Sequence, residues 1–171
     1  MGKVLVAGMG NMLRGDDGFG VEVVRRLQGQ DVPAGVEVVE AGSAGIGLVQ
    51  KLMDGYDFLI VVDAATRGKA PGTLYTLKPM VEELAGLEWD QLSSVLGDLH
   101  DTDPTRVLLI AKALGILPKK VLIVACEPTS CEELETTLSG PVAKAVDAAV
   151  DRALELARGW LDREGESVMT W

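Results

Sequence analysis

The sequence predicts an α/β single-domain three-layer sandwich: a mostly parallel, five-stranded twisted sheet with one antiparallel strand, and helices on both faces. Three observations predict it. Short aliphatic runs at residues 4–6, 36–39, 58–62 and 121–125 are separated by helical-looking segments, the alternation of a parallel sheet covered on both sides. A further run at residues 73–77, Thr-Leu-Tyr-Thr-Leu after Pro71-Gly72, lies too close to the third strand for a helical crossover. It is therefore expected to run antiparallel, at an edge. The 171 residues, 47% of them apolar, suit one full hydrophobic core, expected over residues 1–161 with a polar tail at 162–171.

The elements follow in chain order. The first strand ends in a Gly-rich turn, and a helix over 18–28 turns Phe19, Val23, Val24 and Leu27 inward at helical spacing. A second helix is expected over 47–53. The connection over 79–99 has no clear period and mixes acids with Leu87, Trp89, Leu92 and Leu96; long irregular connections in compact domains are often functional. Asp103-Pro104 reads as an N-cap and first helical residue, and Gly115 as the stop of that helix. Pro141 starts a last helix over 142–161, whose stripe from Val142 through Val146 and Ala149 to Trp160 is a packing face. The tail beyond it is expected to fray.

Composition excludes several function classes. A formal net charge of −10 argues against a polyanion partner, and no basic cluster exceeds Lys119-Lys120. No apolar run approaches the roughly 20 residues of a membrane span. Met1-Gly2-Lys3 leads directly into a core strand, so a cytoplasmic location is expected. Cys126 and Cys131 are too close for a disulfide framework and lack the second pair of a zinc site; both read as core thiols.

The chemistry concentrates in residues 4–20, V-L-V-A-G-M-G-N-M-L-R-G-D-D-G-F-G. Gly8-Met9-Gly10 begins like a dinucleotide fingerprint, but Leu13 stands where its third glycine belongs. Asp16 and Asp17 would repel a phosphate at the helix start. Acids in a first helical turn also simply stabilise the helix dipole, yet the loop as a whole suits a cation. Ligands of open α/β sheets bind beyond the carboxyl ends of the strands, where Asp63 closes the aliphatic run of strand three. A carboxylate there is costly to bury unless it is paired, metal-bound or accepting backbone N–H bonds. His100 is the single histidine, just ahead of the helix at Pro104. Two carboxylates and one imidazole make a three-ligand set for a borderline divalent metal with open positions. Asp98, Asp101 and Asp103 flank His100 and favour its protonated form, so metal binding should weaken at low pH. Nucleophilic alternatives are poorer: there is no G-x-S-x-G elbow, Ser43 reads as a turn residue, and Cys126 closes an apolar strand beside Glu127.

With these residues in view, the chain resembles the endopeptidases that mature nickel-iron hydrogenases by trimming the C-terminal extension of the large subunit. Residues 8–20 are similar to the family's G-x-G-N-x-L-x-x-D-[DE]-x-x-G signature. Val61-Val62-Asp63-Ala64-Ala65 followed by Pro71-Gly72-Thr73 is similar to its second block, His100 ahead of a helix to its third, and Cys126-Glu127-Pro128 adds a fourth short match. The residue after strand two, often Asp in the family, is Glu40 here.

The resemblance implies that Asp17, Asp63 and His100 are both the catalytic and the metal-binding residues. It also implies that the metal is nickel carried by the substrate, with zinc or cadmium able to substitute in the isolated protein. The expected partner is the precursor large subunit, cut after nickel insertion by a monomeric enzyme that engages neither nucleic acid nor membrane. An Asp carboxylate and a metal-activated water are the two candidate nucleophiles. Two other functions fit the same residues: a non-enzymatic nickel-dependent chaperone of the immature subunit, and a nucleoside or nucleotide hydrolase on a similar frame.

Overall fold

The computed structural model describes residues 2–43, 45–81 and 104–168. Its sheet has strands β1 (Val4–Met9), β2 (Val36–Gly42), β3 (Phe58–Ala64), β4 (Leu74–Leu77) and β5 (Lys120–Cys126), in the spatial order β2-β1-β3-β5-β4. Four strands are parallel, with Val4 opposite both Val36 and Phe58, and Phe58 opposite Lys120. As expected, β4 alone is antiparallel and sits at an edge, Leu74 opposite Cys126.

The strands read as unbroken apolar runs because both faces are covered. Val4, Val6, Phe58, Ile60, Val62, Val124 and Cys126 face α1 (Phe19–Gln28) and the last helix, α4 (Gly140–Val168). Leu5, Ala7, Met9, Leu59 and Val61 face α2 (Ile46–Leu52) and α3 (Pro104–Ala113). The period-2 alternation of side chains along each strand divides one sheet between two cores. The inward face assigned to α1 is as expected: Phe19, Val23, Val24 and Leu27 are fully buried. Gly115, at φ +69°, ends α3 as anticipated.

Three boundaries differ from expectation. The last helix continues through Val168, past the expected end at 161, because its apolar stripe ends before its hydrogen-bond ladder does. Each residue after Leu161 adds one backbone hydrogen bond to a helix that is already nucleated. Glu40 lies inside β2 rather than beyond it, opposite Gly8. It forms a two-pronged ion pair with Arg25 on α1, at 2.9 and 3.1 Å. The presumed start of α1 holds a separate 3-10 turn, Gly15–Gly18. Of the 79–99 connection, all but its first three residues lie outside the described residues, as does Asp103.

The loop after β1 must turn steeply, and its glycines allow that. A Cβ at Gly20 would overlap the carbonyl oxygens of Met9 and Val62, and one at Gly8 would overlap the Gly20 carbonyl. The two glycines let α1 press onto β1 and β3 backbone to backbone. The chain leaves β1 for α1 on one face, and β3 is reached from α2 on the other. The carboxyl ends of these adjacent strands thus form a topological switch point, where such sheets carry their ligands.

Candidate functional site

Residues 10–17 fold back on themselves. Asn11 Oδ1 accepts the Leu13 N–H at 2.9 Å, the Arg14 N–H bonds the Asn11 carbonyl at 3.0 Å, and the Asn11 N–H reaches the Asp17 carboxylate at 2.9 Å. An Asn side chain that closes its own turn needs no partner from elsewhere, so this geometry is written locally. Its effect is to aim Asp16 and Asp17 in different directions.

Asp16 is 2% exposed and faces the β5–α4 connection. It accepts the backbone N–H groups of Thr129 and Ser139, both at 2.7 Å, and the Ser139 hydroxyl at 2.9 Å. Beside it, Gly15 N donates to the Glu135 carbonyl at 2.7 Å and Glu135 N to that of Leu13 at 3.2 Å. Asp16 is thus a fastener between two loops, more than a charge on a helix dipole.

Asp17 instead lines a cleft of about 410 Å³ together with Asp63, Arg14, Arg67 and Thr105. Burial pushes the Asp17 carboxyl above its ordinary value, opposed by the Asn11 N–H and the Arg14 charge. Asp63, one position before the end of β3, is 5% exposed, and its Oδ1 accepts the Ala64 N–H at 2.8 Å. It combines two readings of an acid at a strand end: it bonds backbone, and it presents a carboxylate to the cleft. The structure thus brings Asp17 and Asp63 together, while His100 lies outside the described residues. Among the described residues no group of three His, Cys, Asp or Glu could hold a metal ion. The donor set the cleft supplies is two carboxylates, which suits a divalent cation that takes further ligands from elsewhere.

The cysteines do not provide a nucleophile. Cys126 is fully buried as a core thiol, pushed up to about 11 by burial and then by Asp16. Cys131 is not a core residue: it is only partly covered, on the segment that Asp16 fastens. Burial, reinforced by Asp17, Asp16 and Asp63, pushes its thiol up to about 12, so it stays protonated at neutral pH.

Sequence reasoning passed over Glu127 as a site residue. Only 3% exposed, it follows β5 as Asp63 follows the aliphatic run of β3, the signal that singled out Asp63. Its oxygens accept the N–H of Arg67 at 3.0 and 2.8 Å, the N–H of Gly68 at 3.0 Å and the Tyr75 hydroxyl at 2.5 Å. The Tyr75 bond leads in holding this carboxyl below its ordinary value, with the backbone N–H groups of 67–69 adding to it and burial opposing. Arg14 and Arg67 were likewise unsuspected, since neither belongs to a motif of charge.

Comparison with known proteins points one way. The family model described as hydrogenase maturation protease matches residues 21–156. The hydrogenase expression/formation protein HupD of Rhodobacter capsulatus is 32% identical over 163 residues, covering 92% of this chain and 72% of that protein. The crystal structure of a hydrogenase 2 maturation peptidase from a Thaumarchaeota archaeon aligns with a TM-score of 0.65 at 35% identity, covering 91% of this chain and 97% of the other. The hydrogenase maturating endopeptidase HybD from E. coli aligns with a TM-score of 0.71 at 28% identity, covering 92% and 93%.

Proposed function

Because the chain belongs to the hydrogenase maturation protease family, we propose that it is the endopeptidase that removes the C-terminal extension of a nickel-iron hydrogenase large subunit once nickel has been inserted. The observation that carries this reading is the convergence of Asp17 and Asp63 on one cleft at the β1/β3 switch point.

In this reading nickel arrives with the substrate. Asp17 and Asp63 supply oxygen ligands to it, and His100 a nitrogen ligand. Anchoring the metal holds the adjacent peptide bond within attacking distance, which the mixed polar and apolar lining of this cleft does not by itself ensure. The metal then acts as a label: only a subunit that carries it is seated for cutting. Zinc or cadmium, which accept the same mixed oxygen and nitrogen ligands, would occupy the site in the isolated protein. The net charge of −10 fits a protein partner rather than nucleic acid, and the enzyme in this reading is a monomer working in the cytoplasm.

The test is to incubate the protein with purified precursor, loaded with nickel or made without it, and to weigh the products by mass spectrometry. The loaded precursor should be shortened at one bond and the nickel-free precursor left intact even with free zinc added. Equal cutting of both would remove the labelling role. A loaded precursor that co-elutes uncut would replace the protease by a chaperone.

A further inference from the structure

The cleft has two kinds of charge, and the proposed reaction uses only one. Its carboxylates, Asp17 and Asp63, suit a cation, but Arg14 and Arg67 also line it. Both arginines are exposed. Among the described residues neither guanidinium takes part in a salt bridge, whereas Arg25, Arg26 and Arg152 each do.

Arg14 acts on the Asp17 carboxyl through its charge, without a salt-bridge contact, so among the described residues both guanidiniums at this cleft keep N–H groups for a ligand.

Arg67 is also held in place more firmly than an exposed loop residue needs. Glu127, nearly inaccessible, accepts both backbone N–H groups of Arg67 and Gly68 and is steadied by the Tyr75 hydroxyl. Burying a carboxylate is costly unless its lone pairs are satisfied. Here they are satisfied by the backbone of the very turn that carries the arginine. The clamp leaves the Arg67 side chain unbonded and fixes where it starts.

We propose that Arg67, with Arg14 on the same cleft, forms an anion subsite for an acidic side chain of the substrate close to the scissile bond, and that Glu127 is the residue that positions Arg67 for it. The proposal rests on the reading of this cleft as the place where the precursor is cut. The cleft then reads two features of one ligand, a cation above the carboxylates and an anion at the rim. A guanidinium matches a carboxylate in a two-pronged geometry that an ammonium cannot reproduce.

The test uses the full chain and nickel-loaded precursor, with acetyl-Glu-Glu-Glu-amide as probe and acetyl-Gln-Gln-Gln-amide as control. The acidic peptide should inhibit processing competitively at concentrations where the control does not, and its direct binding should be visible by calorimetry without precursor. Arg67→Ala should raise the inhibition constant about two- to fivefold, the range of an exposed ion pair, and should raise KM for an acid-bearing precursor more than it lowers kcat. Arg67→Lys should recover only part of this. Glu127→Gln, which keeps the shape of the side chain but loses the charge, should raise KM in the same direction, and the double variant with Arg67→Ala should be no worse than Arg67→Ala alone. That non-additivity is what a merely structural Glu127 would not show. Equal inhibition by the two peptides, or an Arg67→Ala enzyme with unchanged KM and inhibition, overturns the subsite. Failure of the cleavage reading looks different: the acidic peptide would bind and depend on Arg67 while loaded precursor stayed uncut.

Discussion

The adjacent acids Asp16 and Asp17 should behave in opposite ways when removed. Asp16→Ala deletes a buried acceptor of three hydrogen bonds, two of them from backbone N–H groups at 2.7 Å. Each such group left buried without a partner costs about 1–3 kcal/mol. The fastened loop would relax and let water reach part of it, which places the net loss at about 3–5 kcal/mol. For 171 residues the entropy of unfolding is about 0.36 kcal/mol/K, so the melting temperature should fall by about 8–14 °C. Asp16→Asn keeps one acceptor oxygen but turns an NH2 group toward an N–H donor, and should fall between the alanine variant and the parent. Asp17→Ala removes a carboxyl that burial holds above its ordinary value, a sign that its charged form is disfavoured by the fold. That variant should melt within about 2 °C of the parent. Differential scanning calorimetry at neutral pH, with urea unfolding as a second probe, gives both values. An Asp16→Ala protein that melts with the parent would show that the hydrogen bonds to Thr129 and Ser139 do not hold the loops together.

Three further outcomes follow from the site. Asp17→Ala and His100→Ala should each abolish precursor processing while circular dichroism still shows a cooperative melt; normal processing by either intact variant would remove that residue from the site. Calorimetry on the purified chain should show binding of Ni²⁺, Zn²⁺ or Cd²⁺ in preference to Mg²⁺, because an imidazole among the ligands suits borderline metals and Mg²⁺ prefers oxygen alone; tight Mg²⁺ binding without a response to Ni²⁺ would refute the ligand set. The Glu127 carboxyl is held below its ordinary value of 4.5 in the folded chain, so the stability it contributes is present above that pH and is lost as pH falls through the lower folded value. Glu127→Gln should therefore be less stable than the parent at neutral pH and should lose less on acidification, which parallel melts from pH 7 to pH 3 would reveal as converging curves.

How much of the site could be read without coordinates depends on how far apart its parts lie in the chain. The Asn11 turn spans a few residues, and the motif around Gly8, Gly10 and Gly20 encloses its own geometry, so Asp17 was legible. Asp63 was legible for another reason: an acid at the end of four aliphatic residues is conspicuous in a pattern of burial. Glu127 bears the same mark, but its partners at Arg67 and Gly68 are 60 and 59 residues away. No periodicity reports such a contact. The Asp16 bonds to Thr129 and Ser139 span 113 and 123 residues and were equally hidden. Cys131 was misjudged because partial cover by a loop leaves no trace in the spacing of apolar residues.

The sequence by itself determined the elements, the parallel sheet with its antiparallel edge strand and the pair of helical layers, because period and strand spacing are local consequences of backbone geometry. It also determined which acids stand at strand ends. Only the tertiary structure decided which of those acids share a cleft, which one bonds a distant loop, and which arginines line the cleft beside them. Those outcomes depend on strand order and on the way α1 presses against β1 and β3 at Gly8 and Gly20. Adjacent side chains such as Asp16 and Asp17 differ by one position in the chain and by the whole of their surroundings in space, and it is the surroundings that make one a fastener and the other a carboxyl lining the cleft.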